Sequence, residues 1–208
     1  MSFEDSLIKD GWLKTPEIIE AFRKIKREDF IPEDIKNLSE FNEALPIGFG
    51  QTISQPLTVA FMLELLQPKQ GDKILDIGSG SGWTTALLAK IAGNSGNVVA
   101  IELVPELYEF GKKNVEKYGF IKQGIVEYVL GDGSGGCKKY APYDKILVSA
   151  SAEKEPEELK KQLKIGGKMV LPIKKSIWIF TKKDVKNFQK KEYPGFIFVP
   201  LVDADKKD

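Results

Sequence analysis

The chain has 208 residues, with 31 lysines and arginines against 30 aspartates and glutamates, one cysteine and no histidine. Such a length suits one well-buried core with small additions, and a formal net charge of +1 offers no bulk attraction to nucleic acid or to a membrane surface. The missing histidine excludes Ser-His-Asp and Cys-His hydrolases, His-ligated zinc and a histidine general base, while Cys137 alone can form neither an intrachain disulfide nor a thiolate metal cage.

The N-terminal MSFEDSLIKDGW has no apolar signal core and no later run approaches a membrane span. A cytoplasmic protein is therefore expected, with no membrane partner and no metal. Helical stretches around residues 3–11 and 16–26 lead into a loop-like segment, REDFIPEDIKNLSEFNEALPIGFG (27–50). After GQTISQP, Pro56 opens a helix carrying LTVAFMLELL. From about residue 70, short β-rich runs alternate with helical ones. KILDIG (73–78), NVVAIEL (97–103), IVEYVLGD (125–132) and YDKILVSA (143–150) read as buried strands, because Val, Ile and Leu cluster between turn-forming residues. Between them, WTTALLAKIAG, PELYEFGKKNVEKYG and PEELKKQLKIGG end in glycine, and the last two open on proline, which is helix punctuation. This alternation predicts an α/β fold with right-handed crossovers and a largely parallel sheet covered on both faces. After Gly167, the runs KMVLPI, SIWIFTKK and YPGFIFVPLV predict antiparallel strands finishing that sheet. The closing DADKKD is expected to fray.

LDIGSGSGW places Gly78, Gly80 and Gly82 between a strand and a helix, where the backbone turns sharply and lets a ligand come close. The dinucleotide fingerprint G-x-G-x-x-G is not matched, since the third glycine comes one residue early and Trp83 stands in its place. NAD is thereby disfavoured. Glu102 ends the next strand, 20 positions after Gly82, where a carboxylate either accepts a diol or is simply solvated. Asp132, in GDGSGG, closes the third strand as a turn former or as a ligand contact. Asp76, Glu102 and Asp132 fall on the carboxyl edge of neighbouring strands, where open α/β sheets bind ligands. Trp83, Phe41 and Trp178 read as core residues.

D-x-G-x-G-x-G with an acid ending the next strand resembles the first motif of the class I S-adenosylmethionine methyltransferases. The resemblance implies a Rossmann-like α/β fold with a mostly parallel, doubly wound sheet, a C-terminal antiparallel hairpin and N-terminal helical additions. It also implies S-adenosyl-L-methionine as cofactor, with Asp76 near its methionine part and the loop of Gly78, Ser79, Gly80 and Gly82 beside it. Glu102 would take the ribose hydroxyls, and Asp132 with Gly133 the adenine. In chain order REDFIP, LPIGFGQTISQP, LLQPKQGDKILDIGSGSGW, VVAIE, GDGSGG, YDKILVSA, LKKQLKIGGKMVLPI and GFIFVPLV resemble the protein-L-isoaspartate (D-aspartate) O-methyltransferases, over residues 20–202. That family methylates the free carboxylate of L-isoaspartyl residues in damaged proteins and so starts their repair through a succinimide. By this resemblance one methyltransferase domain spans 1–208, with N-terminal helices and a substrate loop (1–69), a cofactor-binding core (70–167) and C-terminal strands (168–202). Ser54 is then the catalytic serine, Thr52 sits beside the cofactor near the transferred methyl group, and Leu45, Pro46, Ile47, Gly48, Gln51, Val199 and Pro200 border the peptide. Isoaspartyl peptides and proteins are the implied partners of a monomer that binds no nucleic acid.

The chemistry agrees with the composition. A side-chain carboxylate with a pKa of roughly 4 is ionised at neutral pH and needs no base to attack a sulfonium-bound methyl group. Thr52 and Ser54, with free N–H groups at the helix start, would orient it; the rival reading has Ser54 merely capping the helix. The chain departs from the family at Phe41 and Glu43, where tyrosine and aspartate are common, at Glu153, Lys154 and Glu155, and in KKSIWIF. These sites border the expected peptide entrance. The alternatives are therefore a divergent methyltransferase for another peptide or small-molecule carboxylate, and a non-catalytic cofactor-binding protein.

Overall fold

A computed structural model describes residues 2–201. The frayed end expected at 203–208 lies outside them, as does Val202 of the last β-rich run. Helices α1 (Phe3–Lys9) and α2 (Pro16–Lys24) come first, followed by two short 3-10 turns. A small antiparallel pair, β1 (Leu45–Gly48) and β2 (Gln51–Ile53), precedes α3 (Pro56–Leu66). The alternating region then runs β3 (Lys73–Ile77), α4 (Trp83–Ala92), β4 (Asn97–Glu102), α5 (Pro105–Glu116), β5 (Val126–Leu130), β6 (Tyr143–Val148) and α6 (Glu157–Gln162). Strands β7 (Leu163–Ile173), β8 (Ser176–Lys182) and β9 (Phe188–Pro194) follow.

One seven-stranded sheet has the order β5-β4-β3-β6-β7-β8-β9. Its first five strands are parallel and β8 and β9 are antiparallel. The order doubles back between β3 and β6, which creates a switch point at their carboxyl ends. Alternation along the strands divides the interior in two. Ile74, Val98, Ala100, Leu147 and Val170 meet α1 to α5 on one face, and Leu75, Ile77, Val99, Ile101, Ile146 and Val148 meet Leu159 of α6 on the other. Trp83 fills the first interior beside Phe3 and Phe22, with edge-to-face ring contacts at 6.2 and 5.6 Å.

Four local expectations are corrected. PEELKKQLKIGG is helical only to Gln162, because β7 already pairs with β6 at Leu163 and then bulges around Gly166, whose φ is +82°, before rejoining at Lys168. The last strand is FQKKEYP rather than YPGFIFVPLV. An edge strand needs only one partner, so the lysine-rich segment pairs with β8, and Gly195 (φ +100°) then turns the apolar residues out of the sheet. LPIG and QTI are strands inside what reads as loop, since each runs only three or four residues. Phe41 is 55 % exposed, whereas Trp83 is buried and Trp178 half-buried against Phe180.

The glycine turn is wedged against α5. A Cβ on Gly111 would meet the Gly80 carbonyl oxygen at 2.5 Å and the Tyr128 hydroxyl at 3.0 Å. Gly111→Ala gains about 1 kcal/mol of helix propensity, but overpacking against backbone costs about 1–3 kcal/mol. We expect a net loss of about 1 kcal/mol and a Tm lower by roughly 2–4 °C; a raised Tm in a thermal melt would contradict the wedge.

Candidate active site

The carboxyl ends of β3, β4, β5 and β6 open into a cleft of about 880 Å³, counting its mouth. Its floor is the turn that follows β3. Gly78 and Ser79 donate their N–H groups to the Ile101 carbonyl at 2.9 and 3.1 Å, and the Gly82 N–H closes on Ser79 at 2.8 Å. Gly80, at φ +53°, then presents its own N–H to Glu102 Oε2 at 2.7 Å. The other oxygen, Oε1, accepts from the Leu103 and Val104 N–H groups at 2.9 and 3.0 Å. Three backbone donors thus fix the Glu102 carboxylate, which lines the cleft while only 6 % exposed, and one acceptor site on Oε2 remains open for a hydroxyl.

Asp76 lies behind this floor and is not among the lining residues. It is 0 % exposed and takes the Thr85 hydroxyl on Oδ2 at 2.6 Å, while Oδ1 has no partner. Burial pushes its carboxyl up to about 6, the neighbouring Glu102 charge adds to this, and the Thr85 and Thr84 hydroxyls oppose it. Ser79 Oγ and the Tyr128 hydroxyl behind it are buried without a well-formed hydrogen bond, although Tyr128 is close enough to Ser79 and Thr85 to interact with both. Burial raises the Tyr128 pKa, so it is a neutral phenol. A cluster of unsatisfied polar groups under a glycine turn suits a ligand that brings hydrogen-bonding groups of its own.

Across the cleft stand Ile47, Gln51, Thr52, Ile53 and Ser54 from the β1–β2 pair and its exit, with Val199, Pro200 and Leu201 beside them. The last three are held there by Ser151, whose N–H donates to the Val199 carbonyl and whose carbonyl accepts from the Leu201 N–H, both at 2.8 Å. The turned-out apolar residues of the C-terminal run therefore roof the cleft. Ser54 does not cap α3. The cap position is Gln55, without a side-chain cap bond, and Asn42 Oδ1 takes the Leu57 N–H at 2.9 Å. This removes the rival reading of Ser54. It also removes one of the helix N–H groups expected to be free for a substrate.

Of the residues singled out in the sequence, Ile47, Gln51, Thr52, Ser54, Gly78, Ser79, Gly80, Glu102, Gly133, Val199 and Pro200 share this cleft. Leu45 is buried beneath it, Pro46 and Gly48 are exposed, Gly82 starts α4 below the floor, and Asp132 accepts the Ser134 N–H at 2.7 Å. None of these five lines the cleft. Ser149 and Ala150, Leu103, Val104 and Leu107, Trp83 and Thr84 line it without having been singled out for it. The first two sit just past β6, and the strand-end rule that picks out Glu102 would have found them.

A sequence profile described as protein-L-isoaspartate(D-aspartate) O-methyltransferase (PCMT) matches residues 2–206. A protein-L-isoaspartate O-methyltransferase from Methanopyrus kandleri is 40% identical over 196 residues, covering 92% of this chain and 86% of its own. Protein-L-isoaspartate O-methyltransferase 2 of Archaeoglobus fulgidus is 45% identical over 187 residues, covering 88% and 84%. A solved protein-L-isoaspartate O-methyltransferase superposes with a TM-score of 0.87 at 29% identity, over 97% of this chain and 65% of that one. A further structure, from Plasmodium falciparum in complex with S-adenosyl-L-homocysteine, shows the same fold with a TM-score of 0.85 at 24% identity, covering 96% of each chain.

Asp76 makes stability depend on pH. An acid raised from 3.8 to about 6 by folding binds its proton more tightly in the native chain, so its contribution is most favourable below 3.8 and is lost as pH rises through about 6. Asp76→Asn keeps an acceptor for Thr85 and abolishes that loss. In urea titrations without ligand the variant should gain on the parent by about 2 kcal/mol between pH 4.5 and 8. A pH-independent difference would contradict the buried charge.

Proposed function

This chain belongs to the protein-L-isoaspartate (D-aspartate) O-methyltransferase family, and from that premise we propose how its residues divide the work of the reaction. The protein is an S-adenosylmethionine-dependent enzyme that methylates the free carboxylate of L-isoaspartyl residues in damaged proteins. When bound, S-adenosylmethionine supplies the methyl group, which passes from a sulfonium to a carboxylate oxygen and leaves a neutral thioether and a neutral ester. The ester then loses methanol to the neighbouring backbone amide, closing a succinimide that hydrolyses in part to normal aspartate. A divergent or non-catalytic member is not favoured, since relatives near 40% identity over most of the chain carry the same activity name.

The donor set fits the cofactor. Glu102, pinned by the Gly80, Leu103 and Val104 N–H groups, faces the ribose and keeps one acceptor site on Oε2 for its hydroxyls. Ser79, at the cleft floor, lies beside the methionine part, and Asp76 supports the turn from behind without reaching the cleft. Gly131 and Gly133 leave the β5 end open for the adenine, with Asp132 between them. On the facing wall Ser54 and Thr52 hold one oxygen of the substrate carboxylate through their hydroxyls, leaving the other to attack. Ile47, Ile53, Val59 and Leu201 make that wall apolar, which excludes water and strengthens the attraction between opposite charges. No proton has to move, so a chain without histidine loses nothing.

The observation that carries this reading is that Ser54, released from capping by Asn42, lines the same cleft as Gly80 and Glu102. A monomer is the state proposed in this account. Its near-neutral charge and single free cysteine fit a cytoplasmic protein with no nucleic-acid partner. Among the described residues no helix is long and apolar enough to cross a membrane.

Labelled S-adenosylmethionine with a peptide pair differing only in aspartyl or isoaspartyl linkage tests the activity. Base-labile methyl incorporation should be confined to the isoaspartyl peptide, and equal labelling of both would refute the selectivity. Ser54→Ala should lower kcat roughly 10- to 100-fold while cofactor affinity stays within about threefold, since one orienting hydrogen bond is lost. Glu102→Ala should do the reverse, weakening S-adenosylhomocysteine binding by about tenfold or more in calorimetry; unchanged affinity would refute the ribose assignment.

A further inference from the structure

Arg27 is a buried cation placed in the middle of the substrate side of the fold. It is 2 % exposed, and among the described residues no carboxylate forms an ion pair with it. Its guanidinium is bonded instead to four backbone carbonyls. One terminal nitrogen donates to Ser39 and Phe41, each at 3.0 Å, and the other to Glu43 at 2.7 Å and Ser54 at 3.3 Å. The guanidinium Cζ sits over the Trp83 ring, 5.4 Å from the centroid, and Trp83 is also a lining residue of the cleft. Burial lowers the guanidinium to about 10, against the pull of Glu40, so it remains charged at neutral pH.

A charge kept from water without a counter-ion is expensive, and carbonyl dipoles offset that only where they converge on it. Here they converge from two separate segments, the 39–43 loop and the exit of β2. The planar fork of arginine is matched to such an arrangement and a lysine ammonium is not. The same loop supplies Asn42, which occupies the Leu57 N–H and takes the Gln55 side-chain amide on its carbonyl at 2.8 Å. Without that occupancy the Leu57 N–H would be open to the Ser54 hydroxyl, in the cap the sequence invites.

We propose that Arg27 is a positioning residue for methyl transfer: by joining the 39–43 loop to the Ser54 carbonyl over Trp83, it keeps the Ser54 hydroxyl on the cleft wall and out of the helix cap. This rests on the reading of Ser54 as the group that orients the substrate carboxylate. Arg27 does not line the cleft. Its effect on the reaction passes through Ser54, and that makes it separable from a general role in folding.

A double-mutant cycle with Arg27→Lys and Ser54→Ala tests the inference, with S-adenosylhomocysteine affinity measured by calorimetry and folding checked by thermal melts. Arg27→Lys alone should lower kcat about tenfold with ligand Kd within about threefold, and in the Ser54→Ala background the same change should cost less than about threefold, as coupled neighbours do. A tenfold loss in both backgrounds, a Kd that weakens in step with kcat, or wild-type kcat in Arg27→Lys would overturn the proposal. Wild-type kcat in Ser54→Ala alone would instead bring down the Ser54 reading itself. If Arg27→Lys does not melt cooperatively, Arg27→Gln, which keeps a planar amide donor, takes its place in the cycle with the same criteria.

Discussion

The hydrogen bond from the Gly80 N–H to Glu102 ties the turn after β3 to the end of β4, and the ligand side of the molecule depends on it. Glycine suits position 80 because φ is +53°, and the approach of α5 to the Gly80 carbonyl requires a second glycine at 111. A parallel β3–β4 pair in register brings Ile77 beside Ile101, which sets the turn against the strand end before any ligand arrives. Preorganisation of this kind lowers the reorganisation that binding would otherwise require.

The facing wall is built by a different physics. Where the cofactor side uses strand ends and backbone donors, the substrate side is a small hairpin and a loop with little regular structure, held by a buried guanidinium and an asparagine. A two-stranded pair of this length has no independent stability. Its position is set by the groups that bond its backbone, and the Arg27 and Asn42 contacts do this from opposite sides of Ser54. The two walls meet at Trp83, which takes the Arg27 cation on its face and belongs to the main interior through Phe3 and Phe22.

Most of the parallel sheet was legible in sequence, because β3, β4 and β6 are buried at all but one position each and carry Val-Ile-Leu runs. Glu102 and the glycine turn were legible for the same reason, since a strand end fixes where its last residue points. The C-terminal run misled because GFIFVPLV is apolar enough for a strand, yet its hydrophobicity serves the cleft roof; Ile197, which faces away from it, is 88 % exposed. KIGG misled because its two glycines mark a bulge within β7 rather than the end of a helix. Phe41 reads as core on hydrophobicity alone, whereas its segment contributes backbone carbonyls to Arg27 and leaves the ring outside.

By itself the sequence determined the α/β alternation, the ligand edge, the exclusion of histidine chemistry and the family resemblance. Each of these follows from local periodicity, composition or a motif a few residues long. Only the tertiary structure decided which residue caps α3, where the Arg27 charge goes and which acids actually reach the cleft. Asn42 and Leu57 are 15 positions apart and Arg27 and Ser54 are 27, and no periodicity records a partner at that distance. Asp76 and Glu102 look equivalent as strand carboxylates, and the packing of α4 makes one a buried acid with a pKa near neutrality and the other a lining group held by three amides.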